Sequence, residues 1–340
     1  MTGKEVIART VDFKNPPYIA HTIAVVPGFL SEKDPTKLER IQELLSASRA
    51  DINIRLWCFD QHDTRKDGVT YRTDEWGTKF EDDGHGMFST FHPAEEGYEF
   101  MNRVTFPDAA RPGRFDASRE AFAKTPDRYN VGGVWFTLFE RLWMLRGFNN
   151  MLMDPYVEED DFLSLKEKVM EVNLAMIDEW LKLDSVDALF FSDDWGSQRS
   201  LLISPSDWRK YYRNDYRRMF EKVRAAGKHV FMHLCGNITE ILPDLIDLGL
   251  NVLNPVQPQA MNLEYLSKEF RGKVCFNGGI DVQGVMVNGS PDEVKAETRR
   301  VAKLLGNQSG GYVFNTSHSL MPETPLDNII ALLETVLEYR

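Results

Sequence analysis

The run His233-Leu234-Cys235-Gly236-Asn237 carries the sharpest chemical signal in this 340-residue sequence. Two residues apart on a strand, an imidazole and a thiol point to the same face. Together they are ligands of the borderline-soft kind that suits Zn²⁺. A third ligand has to come from another segment, and His318 in Asn315-Thr-Ser-His318 or Cys275 can supply it. Acids and amides gather at comparable places: Ser192-Asp193-Asp194, Asn254 and Gln257, and Asn277-Gly-Gly-Ile-Asp281. Asp193 or Asp194, beside Trp195, could relay a proton or orient a metal-bound group, although loop hydrogen bonding and capping would occupy them equally well. Gln257 and Asn277 are candidate substrate contacts. Asp60 and His62, with Trp57 and Trp135, could wall an aromatic substrate, while core packing is the plainer role for the two tryptophans.

These residues need elements that bring them to one place. Short apolar runs at 188–193, 229–235, 251–256, 273–277 and 311–315 alternate with amphipathic stretches at 205–227, 238–249, 261–271, 291–305 and 325–339. This alternation is the pattern of βα units, and the polar clusters fall at the strands' C-terminal ends. Three helix starts share one design: Ser204-Pro-Ser-Asp207, Ser290-Pro-Asp-Glu293 and Thr324-Pro-Leu-Asp327 each offer a hydroxyl cap, a proline in the first turn and an acid three residues on. Runs at 18–26, 52–58 and 130–136 bring the strand count to eight. The spacing predicts a single (β/α)8 TIM barrel over residues 1–340, interrupted at 61–128 by a hairpin insertion placed as a lid over the mouth. An open doubly wound sheet is the alternative, but no Gly-x-Gly-x-x-Gly turn follows any strand.

Composition narrows the partners. A formal net charge of −12 and a pI near 5.2 argue against nucleic acid or an anionic membrane surface. Cys58, Cys235 and Cys275 are too few and too unevenly placed for a disulfide framework, so reduced thiols and a cytoplasmic location are expected. The N-terminus lacks an apolar signal core, and no run approaches the length of a membrane span.

In their order and spacing, His233-Leu-Cys235-Gly-Asn237, Asn277-Gly-Gly-Ile-Asp281 and Ser317-His318-Ser-Leu-Met-Pro322 resemble the C-terminal half of the uroporphyrinogen decarboxylase superfamily, over about residues 130–340. That superfamily includes zinc methyltransferases that exchange methyl groups with corrinoid proteins. The resemblance implies Zn²⁺, a corrinoid carried on a partner protein and a small-molecule methyl donor, preferably an aryl methyl ether that is O-demethylated. Zinc would then act as a Lewis acid on the ether oxygen, with Asp193 or Asp194 supplying the proton. In the methyltransferase branch a later cysteine completes the zinc set. His318 stands at that place here, as a histidine does in the decarboxylases. A second pattern described for O-demethylase methyltransferases, Asp, Cys and Cys separated by 27 and 39 residues, is matched by Asp207, Cys235 and Cys275. Asp207 also has a complete role as the first-turn acid of its helix. The alternative activity is a decarboxylase-like lyase acting on a tetrapyrrole. Such a substrate needs a cationic clamp, and 15–24 contains no arginine. Asp83-Gly84-His85 is similar to the start of a corrinoid-ligand motif, but Phe88 stands where that motif has glycine, so any corrinoid is expected on another protein.

Overall fold

The computed structural model describes residues 1–340 apart from 49–50, 57–59 and 84–86. Trp57, Cys58 and His85 therefore lie outside the described residues. Among the described residues eleven strands follow one another: β1 Ile52–Arg55, β2 Gln61–Lys66, β3 Val69–Asp74, β4 Lys79–Asp82, β5 Met87–Phe91, β6 Tyr129–Val134, β7 Ala188–Ser192, β8 His229–His233, β9 Val252–Val256, β10 Cys275–Ile280 and β11 Tyr312–Thr316. Seven of them form one parallel sheet in the order β1-β6-β7-β8-β9-β10-β11. Every residue of β6, β7, β9 and β10 is buried, as expected of parallel strands covered on both faces.

The sheet curls around a shared interior. Every second residue points inward: Tyr129 and Val131, Ala188 and Phe190, Phe231, Val252, Cys275 and Val313 meet in one apolar cluster with Ile52 and Ala20. Val6, Ile7 and Val11 of the helix Gly3–Val11 join the same cluster and plug its lower end. The expected strand at 18–26 is reduced to a parallel bridge between His21 and Phe314, with Thr22 N–H donating to Phe314 O and Phe314 N–H to Ala20 O at 2.9 Å each. Pro16, Pro17 and Pro27 flank it. Proline lacks an N–H and constrains the residue before it, so little of this segment can join a ladder.

Helices cover the outside, around a larger apolar core. Gly132 of β6 lets the helix Glu159–Leu181 approach closely, since a Cβ there would lie 2.5 Å from the fully buried Trp180 ring. Ser204 and Ser290 cap their helices as expected, Ser290 in a full capping box with Glu293. The third start differs. Pro325 occupies the cap position before Leu326–Leu337, and the Leu326 N–H donates to the Glu32 carboxylate at 3.0 Å. The 205–227 stretch divides into Pro205–Tyr211 and Arg213–Ala225.

The insertion is larger than a hairpin. Strands β2 to β5 form a four-stranded antiparallel meander, and Asp67 and Gly68 turn β2 into β3 with φ of 51° and 86°. It is tied to the helix Phe139–Arg146, which follows β6. Arg141 pairs with Asp74, Thr78 Oγ1 donates to Met144 O at 3.2 Å, and Ala94 N–H donates to Leu145 O at 2.8 Å. No described helix is long and apolar enough to cross a membrane.

Candidate metal centre

His233 ends β8, and Cys235 lies just past it in the loop. Their ligand atoms, Nε2 and Sγ, are 3.2 Å apart. His318, exposed at the rim beyond β11, completes a group whose three donor atoms lie within 4.8 Å of one another. Two glycines make this turn possible. Gly236 has φ of 80°, and a Cβ there would lie 2.3 Å from the Gly196 backbone. The two loops therefore touch backbone to backbone, with Gly196 N–H donating to Cys235 O at 3.2 Å and Asn237 N–H to Ser197 O at 2.7 Å.

A chain of amides sets the tautomer of His233. Asn277 Nδ2 donates to Val313 O at 3.2 Å and to Thr22 Oγ1 at 2.9 Å. Because a carbonyl can only accept, this fixes which end of the Asn277 amide is which. Asn277 Oδ1 therefore accepts from Asn254 Nδ2 at 2.7 Å, and Asn254 Oδ1 faces His233 Nδ1 at 2.8 Å. Nδ1 must carry the proton, which leaves the Nε2 lone pair directed at Cys235. This is how metal-binding histidines are commonly held. Although His318 as a residue is exposed at the rim, partial desolvation of its ring lowers its pKa and the neighbouring His233 adds to the effect, favouring the neutral, ligating form. Burial pushes the Cys235 thiol well above its ordinary range, with the Asp194 carboxylate reinforcing it. A dication is what such a thiolate lacks. Two imidazoles, one thiol and an Nδ1 held by an amide oxygen fit zinc.

The two acids after β7 separate. Asp193 is fully buried and accepts backbone N–H bonds from Leu138 at 2.9 Å and Glu140 at 2.7 Å, plus the Tyr216 hydroxyl. It caps the helix that follows β6. Burial pushes its pKa up to about 6 against these hydrogen bonds. Glu140, buried beside it and bonded to Ser192 Oγ at 2.9 Å, is raised well above the usual carboxyl range by burial, then by Asp194 and Asp193. Asp194 instead reaches the centre. Its Oδ1 accepts the Cys235 N–H at 2.8 Å and lies 3.8 Å from His233 Nε2.

Other candidates fall elsewhere. Cys275 is fully buried in the deeper apolar layer and is not among the clustered donors, because β10 carries it one inward repeat below Asn277. Asp207 bonds Ser204 Oγ and, at 2.8 Å, the Tyr156 hydroxyl, with its backbone N–H on Ser204 Oγ at 3.0 Å. These hydrogen bonds lower its pKa. Asp60 pairs with Arg111, and His62 lies exposed on β2 of the insertion. Trp135 stands over His233 with ring centroids 5.5 Å apart and stacks on Phe190 at 6.1 Å. Asn277 is buried and serves as the hub of the amide chain.

Gln257 accepts the Gly236 N–H and lines a cavity of about 240 Å³ with Gln198, Gln259, Asp281, Gln283 and His318. Of these glutamines sequence reasoning found Gln257 and missed Gln198, Gln259 and Gln283, as it missed Glu140 and Tyr216. Gln257-Pro-Gln259, with the period of two that follows β9, was the available signal for Gln259.

A curled parallel sheet with helices outside it and a ligand-competent cluster at the C-terminal ends of its strands defines an α/β protein whose candidate site lies at the strand ends. Residues 99–339 match the family described as Uroporphyrinogen decarboxylase (URO-D), and the chain belongs to that family. It is similar to the uroporphyrinogen decarboxylase of Thermus thermophilus, with 26% identity over 248 residues, 72% of this chain and 69% of that protein. To the Chlorobaculum tepidum enzyme it is 26% identical over 155 residues, 45% of this chain and 42% of that one. The chain thus matches less than half the length of that relative. A solved methyltransferase from Methanosarcina mazei shares the fold over 100% of this chain and 99% of its own, with a TM-score of 0.71 at 15% identity.

Proposed function

We propose that this protein is a zinc-dependent methyltransferase that moves a methyl group from a small donor, preferably an aryl methyl ether, to a corrinoid carried on a separate protein. The observation that carries this reading is the His233–Cys235–His318 cluster, with His233 Nε2 freed by the amide chain. Three protein ligands leave a position open to substrate. Zinc bound there would supply Lewis acidity toward the donor's oxygen. The chain's own residues do the rest. Asn254 and Asn277 hold the His233 ring, Asp194 stands where it can pass a proton, and Trp135, backed by the buried Phe190, offers an apolar face to an aromatic ring. Asp193 is committed to its helix. In this reading the segment at 18–26 completes a (β/α)8 barrel, and the insertion lies over its mouth as a lid. The stacking of Phe80 on Phe136 at 6.1 Å supports that position for the lid.

The second reading is a lyase acting on a tetrapyrrole, favoured by the activity named for the family and its relatives. Against it, the cavity of about 240 Å³ is smaller than the ~300–1,000 Å³ usual for drug-sized ligands and suits a single ring rather than four. Incubation with an aryl methyl ether and a reduced corrinoid protein decides between them. Zinc-dependent formation of the phenol and a methylated corrinoid is expected. Release of carbon dioxide from uroporphyrinogen by metal-free protein, with no methyl transfer, would replace this reading with the second.

A further inference from the structure

We propose that the methyl donor is recognised through a hydrogen-bond-donating group, neutral or cationic, seated on Asp281, and that donors bearing a carboxylate at that end are rejected. This rests on the reading above for the word donor, but its argument comes from the cavity.

Asp281 follows β10 and is 7% exposed. Buried carboxylates are normally paired with a cation. Here the partners are neutral: Oδ2 accepts Gln259 Nε2 at 2.6 Å and Oδ1 accepts the Gln283 N–H at 2.9 Å. No lysine, arginine or histidine among the described residues forms an ion pair with it. A carboxylate has about four acceptor sites, and two are used. The remaining capacity lies on the wall of the cavity that Asp281 shares with Gln198, Gln257, Ser317 and His318. None of the described lining residues is a lysine or arginine, so away from the metal ligands at the His318 end the fixed charge of the cavity wall is the single negative one of Asp281.

The carboxylate is also held in place. A Cβ on Gly284 would lie 2.4 Å from Asp281 Oδ2, so only glycine leaves that oxygen its room. The cavity and the metal centre are one site. His318 belongs to both, and Gln257 Oε1 accepts the N–H of Gly236, the neighbour of Cys235. A molecule seated on Asp281 therefore extends toward the metal ligands. An ammonium or hydroxyl finds an acceptor there, with the glutamine amides to satisfy its other polar atoms. A carboxylate meets a like charge in a partly desolvated space, which is strongly unfavourable.

The probes are 4-methoxybenzylamine and 4-methoxybenzoate, similar in size and opposite in charge, titrated calorimetrically into the 340-residue protein. The amine should bind at least ~10-fold tighter, the scale of one charge-assisted hydrogen bond. Asp281→Asn should remove most of that preference while zinc content stays unchanged. Equal or tighter binding of the benzoate, or binding of neither, overturns the inference. The wild-type comparison decides even if the variant does not fold. The two readings fail separately. Zinc-dependent demethylation of methoxybenzoate would keep the proposed function and sink this inference. Amine selectivity in a protein that takes up no zinc would do the reverse.

Discussion

Two layers of the interior enclosed by the curled sheet, one strand repeat apart, differ completely in character. Phe231, Val252, Cys275 and Val313 form the lower layer, fully enclosed and apolar. Two residues further along the same strands stand His233, Asn254, Asn277 and Asn315. The first three are joined by hydrogen bonds into a chain that ends at Cys235. Both layers contain a cysteine, and burial raises both thiols. What separates Cys235 from Cys275 is company. Cys235 has an imidazole at 3.2 Å and a loop carboxylate on its backbone, whereas Cys275 has hydrocarbon and a strand carbonyl. Ligand chemistry depends on which layer a residue occupies more than on its type.

The largest expected effect comes from exchanging the roles of the two cysteines. Cys235→Ala should abolish stoichiometric zinc and nearly all methyl transfer, while the barrel still folds. Cys275→Ala should keep its zinc and lose about 1–2 kcal/mol of stability, the usual cost for a small buried side chain. Elemental analysis with denaturant melts distinguishes them, and retained zinc in Cys235→Ala would erase the distinction between the layers.

Next comes the amide chain. Asn254→Leu removes the acceptor that fixes the Nδ1 proton of His233 and should weaken zinc roughly 10- to 100-fold, the range for partners that orient a ligand. A competition titration with a chelator measures this, and unchanged affinity would show that His233 needs no orienting partner.

A smaller effect sharpens the contrast between Asp193 and Asp194. Asp193→Asn leaves a single acceptor oxygen for two helix N–H groups and should cost about 1–3 kcal/mol without affecting zinc. Glu140→Gln should be nearly neutral at low pH. The sign follows from its raised folded pKa. Above the unfolded value of about 4.3 the native state still binds the proton, so wild-type stability falls as pH rises toward the folded pKa. Removing that proton site should flatten melting temperature against pH between 5 and 8. A wild-type profile that rises across this window would contradict the assignment.

The smallest effect is at Asp207. Asp207→Asn keeps an acceptor for Ser204 and Tyr156 and should cost about 0.5 kcal/mol through lost helix-end charge, with normal zinc. Loss of metal would restore the Asp–Cys–Cys pattern as the better guide.

Much of this was legible in the sequence because the signals are local. Short apolar runs alternating with amphipathic stretches marked the strands of the second half, and hydroxyl-proline-acid starts marked two of three caps. His-x-Cys pointed to the candidate centre, although only His233 is on the strand: the loop folded at Gly236 against Gly196 carries the Cys235 thiol back to the imidazole. What escaped depended on contacts between distant segments. The strand expected at 18–26 is one case: His21 lies where the chain returns to close the interior, and the prolines around it leave only a bridge to Phe314. Thr324 resembled a cap until Glu32, far off in sequence, took the Leu326 amide. The spacing that offered Asp207 and Cys275 as ligands counts residues and is blind to layer. Nothing local announces that Glu140, on a helix, is buried against acids that follow another strand.

X-ray absorption at the zinc edge of the purified protein reads the composition of the proposed metal centre atom by atom. One sulfur at about 2.3 Å and two imidazole nitrogens at about 2.0–2.1 Å are expected, with a light atom completing the shell. That signal should persist in Cys275→Ala and lose a nitrogen in His318→Ala. Two sulfurs per zinc, or a spectrum indifferent to His318, would contradict that composition.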